Sequence, residues 1–109
     1  MGPQPLSWNN PETQQVLERA VAHHGVGELD KAEPIYRQVL QSTPDHPVAL
    51  HLLGVISDQL GRGEAAVELM SKALDAAPDY VEARNNLGLA LRGLGRDEEA
   101  IASFRRAIA

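Results

Sequence analysis

A constant step of 34 residues is the feature that most constrains how this chain can fold. Glycine recurs at this step at Gly27, Gly61 and Gly95. Four further columns at the same step share a residue type: alanine at Ala32, Ala66 and Ala100, a small residue at Ala20, Gly54 and Gly88, a large one at Tyr36, Met70 and Phe104, and proline at Pro44 and Pro78. Independent columns with one period indicate a chain built from repeated structural units.

The residue types in these columns indicate that the unit is a helical hairpin. Glycine suits the left-handed conformation that ends a first helix, and proline ends a second helix because it cannot continue the backbone hydrogen bonds. Small residues let paired helices approach, and large residues fill the space beside them. Apolar residues make up 43% of the chain and aromatic residues only 4%, with alanine and leucine, both strong helix formers, dominating. We predict helices over 11–25, 28–42, 47–60, 63–76, 80–93 and 97–108.

Three of the predicted helix starts carry a capping signal. Asn10 stands before Pro11, which suits the first position of a helix. Pro47 opens the third helix in the same way. Asp79 with Glu82 forms the pattern of a capping box, in which the two side chains satisfy each other's free backbone amides.

The second and third units resemble tetratricopeptide repeats, most clearly in the segments ALHLLGVISDQLGRGEAAVELMSKALDAAPD and NNLGLALRGLGRDEEAIASFRRAI. The resemblance covers about residues 13–109. It implies an all-α fold, a right-handed solenoid of about three antiparallel helical hairpins, the last one truncated. The implied repeats are about 13–46, 47–80 and 81–109, within a domain of residues 10–109. Residues 1–9 are rich in proline and polar groups and lack the period, so we predict a flexible N-terminal tail.

The chain departs from the family pattern at Arg84, whose column is apolar at Val16 and Leu50. It also departs at Arg19, whose column is leucine in the other two units.

Charge and composition exclude several classes of partner. The formal net charge is −5, and the ten basic residues are scattered along the chain. We therefore expect no nucleic-acid partner, and an RNA-binding repeat of the pentatricopeptide type would need a slightly longer period and a basic groove. The chain has no cysteine, which excludes disulfides and thiolate metal sites. Since no stretch approaches the ~20 apolar residues of a membrane span, we expect no membrane partner and a cytoplasmic location.

The sequence does not predict an enzyme. The histidine pairs His23 with His24 and His46 with His51 have poor spacing on a helix for sharing one metal ion. The serines lie in the tail, at helix ends or on helix faces, with no strand-turn-helix elbow that would expose a nucleophile. The glycines follow the repeat period and do not form a phosphate loop. We therefore predict no catalytic residue, no metal and no cofactor.

The resemblance implies that a partner binds in a concave groove lined by the first helix of each unit. Carried over position by position, the groove residues are Leu17, Glu18, Val21, His24, His51, Leu52, Val55, Asp58, Gln59, Glu82, Asn85, Asn86, Leu89 and Arg92.

The residue types in this groove predict the kind of partner. Some family members hold the acidic C-terminus of chaperones with lysines, asparagines and an arginine, but the matching positions here are Leu17, Val21, Leu52, Glu82 and Asn86. That clamp is absent. An apolar stripe with polar edges remains, formed by Leu17, Val21, Leu52, Val55 and Leu89, and it suits an extended peptide or an amphipathic helix.

Two functional interpretations follow. The first is a protein-interaction module that binds another polypeptide. The second is the N-terminal, substrate-presenting region of a larger transferase of the glycosyltransferase or sulfotransferase type. Asn86 resembles the groove asparagines that hold peptide backbones in arrays attached to O-linked N-acetylglucosamine transferases, but Glu18 and Leu52 fill the matching positions of the other units, so a full ladder of asparagines is not predicted.

The third unit ends before the proline-aspartate pair that closes the first two, so we expect a fragment of a longer protein. Since a repeat buries its apolar side only against the next one, Ile101, Phe104 and Ile108 lack a neighbour. We therefore expect self-association, as a homodimer, through these three residues.

Overall fold

The computed structural model of the chain describes residues 10–108, which form six helices. They are α1 (Pro11–Gly25), α2 (Leu29–Ser42), α3 (Pro47–Gln59), α4 (Gly63–Ala76), α5 (Val81–Gly93) and α6 (Asp97–Ile108). Every predicted helix is present, and no predicted boundary is wrong by more than one residue. Within the described part of the chain there is no β-strand, so the all-α prediction is confirmed. The predicted tail, residues 1–9, lies outside the described residues.

The turn inside each hairpin has the same geometry. Gly27, Gly61 and Gly95 have φ angles of 82°, 78° and 77°, in the left-handed region that glycine adopts most easily. The residue after each glycine donates its backbone N–H to a carbonyl five residues earlier, at 2.8 to 2.9 Å. This bond satisfies a carbonyl that the end of the first helix would otherwise leave free. The 34-residue period of glycine is thus a period of identical helix ends.

The capping predictions are partly confirmed. The side chain of Asn10 accepts a hydrogen bond from the Glu12 N–H at 2.8 Å, and Pro47 begins α3. The predicted capping box of Asp79 and Glu82 is wrong. The structure has Tyr80 as the N-cap of α5, with no side-chain cap bond, because the helix begins one residue later than predicted.

The helices pack as a continuous stack. Each helix packs against its hairpin partner, the second helix of a hairpin packs against the first helix of the next, and α3 also contacts α5. The described chain therefore forms an elongated slab with extents of 45 × 34 × 19 Å. Exposed ion pairs between hairpins accompany this packing, Glu33 with Arg62 at 3.1 Å and Glu64 with Arg96 at 3.3 Å.

Small and large residues fit together along the stack as the columns predict. Ala20, Tyr36 and Met70 are fully or almost fully buried. The Phe104 ring lies so close to Gly88 that a Cβ atom built there would be 2.5 Å from its Cε1 atom. The small column is therefore needed where α5 meets α6.

Candidate binding groove

The first helices of the three hairpins, α1, α3 and α5, carry all of the predicted groove residues. Within each helix these residues are spaced mainly three or four positions apart, which places them on one face. Contacts between neighbouring first helices show that the three faces form one surface. We call the surface formed by these residues of α1, α3 and α5 the groove.

Two hydrogen bonds join predicted groove residues of neighbouring first helices. Nε2 of His24 in α1 donates to Oε1 of Gln59 in α3 at 2.8 Å. The amide Nδ2 of Asn86 in α5 donates to Nε2 of His51 in α3, also at 2.8 Å. Both pairs are separated by 35 residues along the chain. The structure thus brings four of the predicted residues into direct contact and gives the groove a hydrogen-bonded floor.

His51 is a buried polar group whose partners satisfy it in its neutral form. Only 3% of its surface is exposed, and this burial lowers the pKa of its imidazole, an effect that the nearby Glu82 carboxylate opposes. Since Asn86 donates to Nε2, the ring proton lies on Nδ1, which donates to the Tyr80 hydroxyl oxygen at 2.8 Å. The Tyr80 ring lies edge-on to the imidazole, with centroids 4.8 Å apart. His51 therefore links two hairpins without adding a charge to the groove.

A weaker version of this arrangement lies between α1 and α2. The Tyr36 hydroxyl donates to Nδ1 of His24 at 3.4 Å, and the two rings are edge-on with centroids 6.1 Å apart. Burial raises the pKa of Tyr36 to about 12, and burial together with the Glu82 carboxylate raises the pKa of Tyr80 to about 12. Both phenols therefore stay protonated and can serve as neutral donors or acceptors.

The two tyrosines of this floor, Tyr36 and Tyr80, were not predicted from the sequence as groove residues. Tyr36 belongs to the column of large residues, which predicted its packing but not its contact with His24. Tyr80 belongs to no column that we used, and it lies just before α5. The sequence gives one weak indication that His51 and Tyr80 form a pair. Each side chain carries a hydrogen-bonding group on a ring with apolar surface.

The apolar stripe is partly exposed along the groove. Val21 is 46% exposed and Leu89 40% exposed, although each lies within a regular helix. Leu52 and Val55 are partly buried and pack against the core. Leu17 is only 5% exposed and belongs to the core of the first hairpin, so it has the least surface to offer a partner. The accessible stripe is therefore centred on Val21, Leu52, Val55 and Leu89.

Charged and polar side chains border this stripe. The exposed ones among the predicted residues are Glu18, Asp58, Gln59, Glu82, Asn85 and Arg92. Three of them are acidic and one is basic, so the border has a net charge of −2 at neutral pH. The groove therefore combines an apolar centre with an acidic border.

The residues predicted for self-association lie on α6. Ile101 is 49% exposed and Ile108 88% exposed. They are two turns apart on one face of the helix. Phe104 differs from them, because its ring is partly buried against Gly88 of α5.

Residues 10–108 contain neither a metal-binding cluster nor a membrane-spanning helix. No group of three or more His, Asp or Glu side chains in residues 10–108 is placed to hold a metal ion. In the same part of the chain, no helix combines the length and the apolar character that a membrane span requires.

Comparison with solved structures identifies the fold. The chain superposes on the second tetratricopeptide domain of Spaghetti (RPAP3), solved bound to the HSP90 peptide SRMEEVD, with a TM-score of 0.85, 17% identity, and coverage of 92% of this chain and 93% of that one. It superposes on a mutant of the Thermobaculum terrenum O-GlcNAc transferase with a TM-score of 0.85 and 30% identity, over 87% of this chain and 18% of that one. For MamA the TM-score is 0.81 and the identity 23%. This chain is 87% covered in that match and spans only 56% of MamA.

Sequence comparison gives the family. A search of curated proteins found no match. The sequence model of the tetratricopeptide repeat matches residues 17–81 and again residues 58–109, so it covers most of the chain. The repeated hairpins, their shared glycine turns and these matches agree, and the chain belongs to the tetratricopeptide repeat family.

Proposed function

We propose that this chain binds an extended segment of another polypeptide in the groove formed by α1, α3 and α5. The observation that carries the proposal is the accessible apolar stripe, in which Val21 and Leu89 stay 46% and 40% exposed within ordered helices. Apolar residues that form a continuous exposed patch usually contact something. The Spaghetti domain, solved with a peptide on the same fold, supports a polypeptide as the partner.

The charges along the groove narrow the class of peptide. The groove presents three carboxylates, those of Glu18, Asp58 and Glu82, and one positive charge, that of Arg92. Complementary charge favours a segment with lysine or arginine on either side of apolar residues. An acidic segment would be repelled, so we expect this chain to prefer partners of opposite charge to the acidic peptide bound by Spaghetti.

A peptide library and one double variant test this proposal. Peptides selected from the library for binding to residues 1–109 are measured by fluorescence anisotropy against the parent chain and against a variant that carries both Val21→Gln and Leu89→Gln. These two positions are suitable because they are exposed, whereas Leu52 and Val55 also pack against the core. We expect at least a tenfold loss of affinity, since the variant loses the apolar contacts and would bury two amides without hydrogen-bond partners.

The control is Val26→Gln, which makes the same kind of substitution at a residue that is 72% exposed and outside the groove. Circular dichroism and thermal melting show whether each variant is folded. Folded groove variants that bind the selected peptides as tightly as the parent chain would refute the groove assignment.

A second function, presentation of substrate to an attached transferase, is favoured by the 30% identity with the Thermobaculum terrenum enzyme over 87% of this chain. Asn86 would then hold peptide backbones of many sequences. Its Nδ2 already donates to His51, which leaves the second N–H and the amide oxygen for a peptide. We expect Asn86→Ala to weaken unrelated peptides by a similar factor if this function is right, and to affect selected peptides unequally if recognition depends on sequence.

Self-association through α6 is a further proposal. The exposed Ile101 and Ile108 would be covered by a second copy of the chain. Sedimentation velocity between micromolar and millimolar concentrations tests it, with Ile101→Glu and Ile108→Glu together expected to give a monomer at all concentrations. A parent chain that is monomeric throughout would contradict the proposal.

Several expectations stay predictions. They are the repeat boundaries 13–46, 47–80 and 81–109, the absence of catalytic activity, the cytoplasmic location, and the absence of nucleic-acid and membrane partners.

A further inference from the structure

A cavity of about 390 Å³ lies between α4, α5 and α6. The residues that α5 contributes to it are Arg84, Leu87 and Leu91. None of these belongs to the groove, because they lie on the face of α5 that packs against the second helices of the hairpins. The cavity is therefore separate from the proposed peptide site.

Two departures from the repeat pattern line this cavity. Arg84 occupies a column that holds Leu50 in the second hairpin, and Ser103 occupies the column of Leu69. Leu50 is buried and Leu69 packs against the core, so in the second hairpin both positions hold apolar side chains.

In the third hairpin the two residues contact each other, since the Ser103 hydroxyl donates to the Arg84 carbonyl at 2.7 Å. The change thus replaces two apolar side chains with hydrogen-bonding groups.

The cavity is positively charged within an acidic chain. Arg84, Arg96 and Arg106 line it together with one acid, Glu99, which gives +2 against a chain total of −5. Arg96 donates to Glu99 at 2.6 and 2.9 Å and is thereby neutralised. Among residues 10–108, neither Arg84 nor Arg106 forms an ion pair with a carboxylate. Their two charges account for the net charge of the cavity.

The Arg84 side chain is held in place with donors to spare. One of its terminal nitrogens, Nη2, donates to the Pro78 carbonyl at 3.0 Å. A guanidinium has five N–H groups in a rigid plane, so the others can bind a carboxylate or phosphate with paired hydrogen bonds.

Apart from the charged residues and the two serines, Ser71 and Ser103, the wall is formed by apolar side chains. Val67, Leu87, Leu91 and Ala102 line the cavity. A bare inorganic ion would leave this surface unused, whereas an apolar group attached to the anion would cover it. The volume lies within the ~300–1,000 Å³ that is usual for small-molecule sites.

We propose that this cavity binds a small organic anion, a carboxylate or phosphate carried on an apolar body such as an aromatic ring. Arg84 and Arg106 bind the charged group, and the leucine and valine side chains contact the apolar body.

Chemical-shift titrations with benzoate and with phenyl phosphate test the proposal. We expect saturable shifts of the backbone amides around Ser71, Leu87 and Ser103 with at least one of the two probes, and the stronger probe identifies the preferred anion. Arg84→Leu should weaken binding at least tenfold, because it removes the charge and restores the residue found at Leu50. Ser103→Leu should do the same, because it adds a larger apolar side chain to the wall of the cavity. Both variants have a precedent in the second hairpin, which favours correct folding.

The control variant is Arg105→Leu, which removes the same charge from an exposed residue of α6 that does not line the cavity. It should bind both probes like the parent chain. The proposal is overturned if neither probe gives saturable shifts, if folded Arg84→Leu binds as well as the parent, or if Arg105→Leu weakens binding equally. Equal affinity for inorganic phosphate would refute the role of the apolar wall.

Discussion

The close contact between Gly88 and Phe104 predicts that one added methyl group will destabilise the chain. A Cβ atom at Gly88 would lie 2.5 Å from Cε1, 2.8 Å from Cδ1 and 2.8 Å from Cζ of the Phe104 ring. Real Cβ atoms do not come so close to carbon, so Gly88→Ala must move the ring or the helix that carries it. Phe104 is partly exposed, and the ring can turn outward only by losing its contact with α5.

The magnitude follows from two opposing effects. Inserting a methyl group into a packed contact costs about 1–3 kcal/mol. Replacing glycine by alanine within a helix returns about 1 kcal/mol, because alanine loses less backbone entropy on folding. We therefore expect a net loss of roughly 1 kcal/mol, which lowers the melting temperature by about 4–8 °C in a domain of this size.

Thermal and urea denaturation of four variants measures this effect: Gly88→Ala, Gly93→Ala, Phe104→Leu, and Gly88→Ala together with Phe104→Leu. Gly93→Ala is the matched control, because Gly93 is also in α5 and nothing lies within 4 Å of a Cβ atom there. It should be neutral or stabilising by up to about 1 kcal/mol. Phe104→Leu added to Gly88→Ala should cost less than the two single changes together, since a smaller side chain leaves room for the methyl group. If Gly88→Ala were as stable as Gly93→Ala, the small column would not be a packing requirement.

Three further predictions concern stability. Burial lowers the pKa of His51 in the folded chain below its value in the unfolded chain. As the pH falls below ~6.5, the unfolded chain takes up the proton first, so the stability that neutral His51 contributes above this pH is lost. Urea denaturation at pH 7.5 and 5.5 should show this loss in the parent chain and a smaller one in His51→Leu, and equal losses would contradict the assignment. Pro34→Ala should raise the melting temperature, because exposed Pro34 lies inside α2 and removes a backbone hydrogen bond there; an unchanged or lower value in a thermal melt would refute this. Gly61→Ala should cost about 1–2 kcal/mol in urea denaturation from its φ of 78° alone, since no atom lies within 4 Å of an added Cβ, and a cost near zero would show that the turn can change conformation.

The sequence predicted the helices well because each signal for them is local. Gly61 ends a helix through its own backbone conformation, and Pro47 starts one through its fixed φ, so both effects can be recognised within a few residues. The period then repeats the signal in each unit. The capping box of Asp79 and Glu82, by contrast, was predicted wrongly. Asp79 and Glu82 have the right spacing, but the tertiary contact of Tyr80 with His51 lies at the point where α5 begins.

The candidate groove was predictable as a shared face of the first helices but not as a set of contacts. Helical spacing places His51 and Asn86 on the groove face without saying that they bond to each other. Such a bond depends on how far neighbouring helices are rotated and shifted, which the packing of the whole stack determines. The same reason applies to the cavity, since Arg84 is unusual in its column but the wall of the cavity also includes Ser103 from another helix.

The groove residues have two different physical roles. His51 and Asn86 are bonded across the hairpins, so changing either one alters the stack before it alters a bound peptide. The side chains of Val21 and Leu89 are exposed, so their apolar surface is available to a partner. Because hairpins stabilise only their neighbours, the polar floor between α3 and α5 fixes the spacing at which the exposed apolar residues stand. If the chain binds a peptide as proposed, this spacing would select the partner segment, and binding should weaken when the His51 bond is lost, even with Val21 and Leu89 intact.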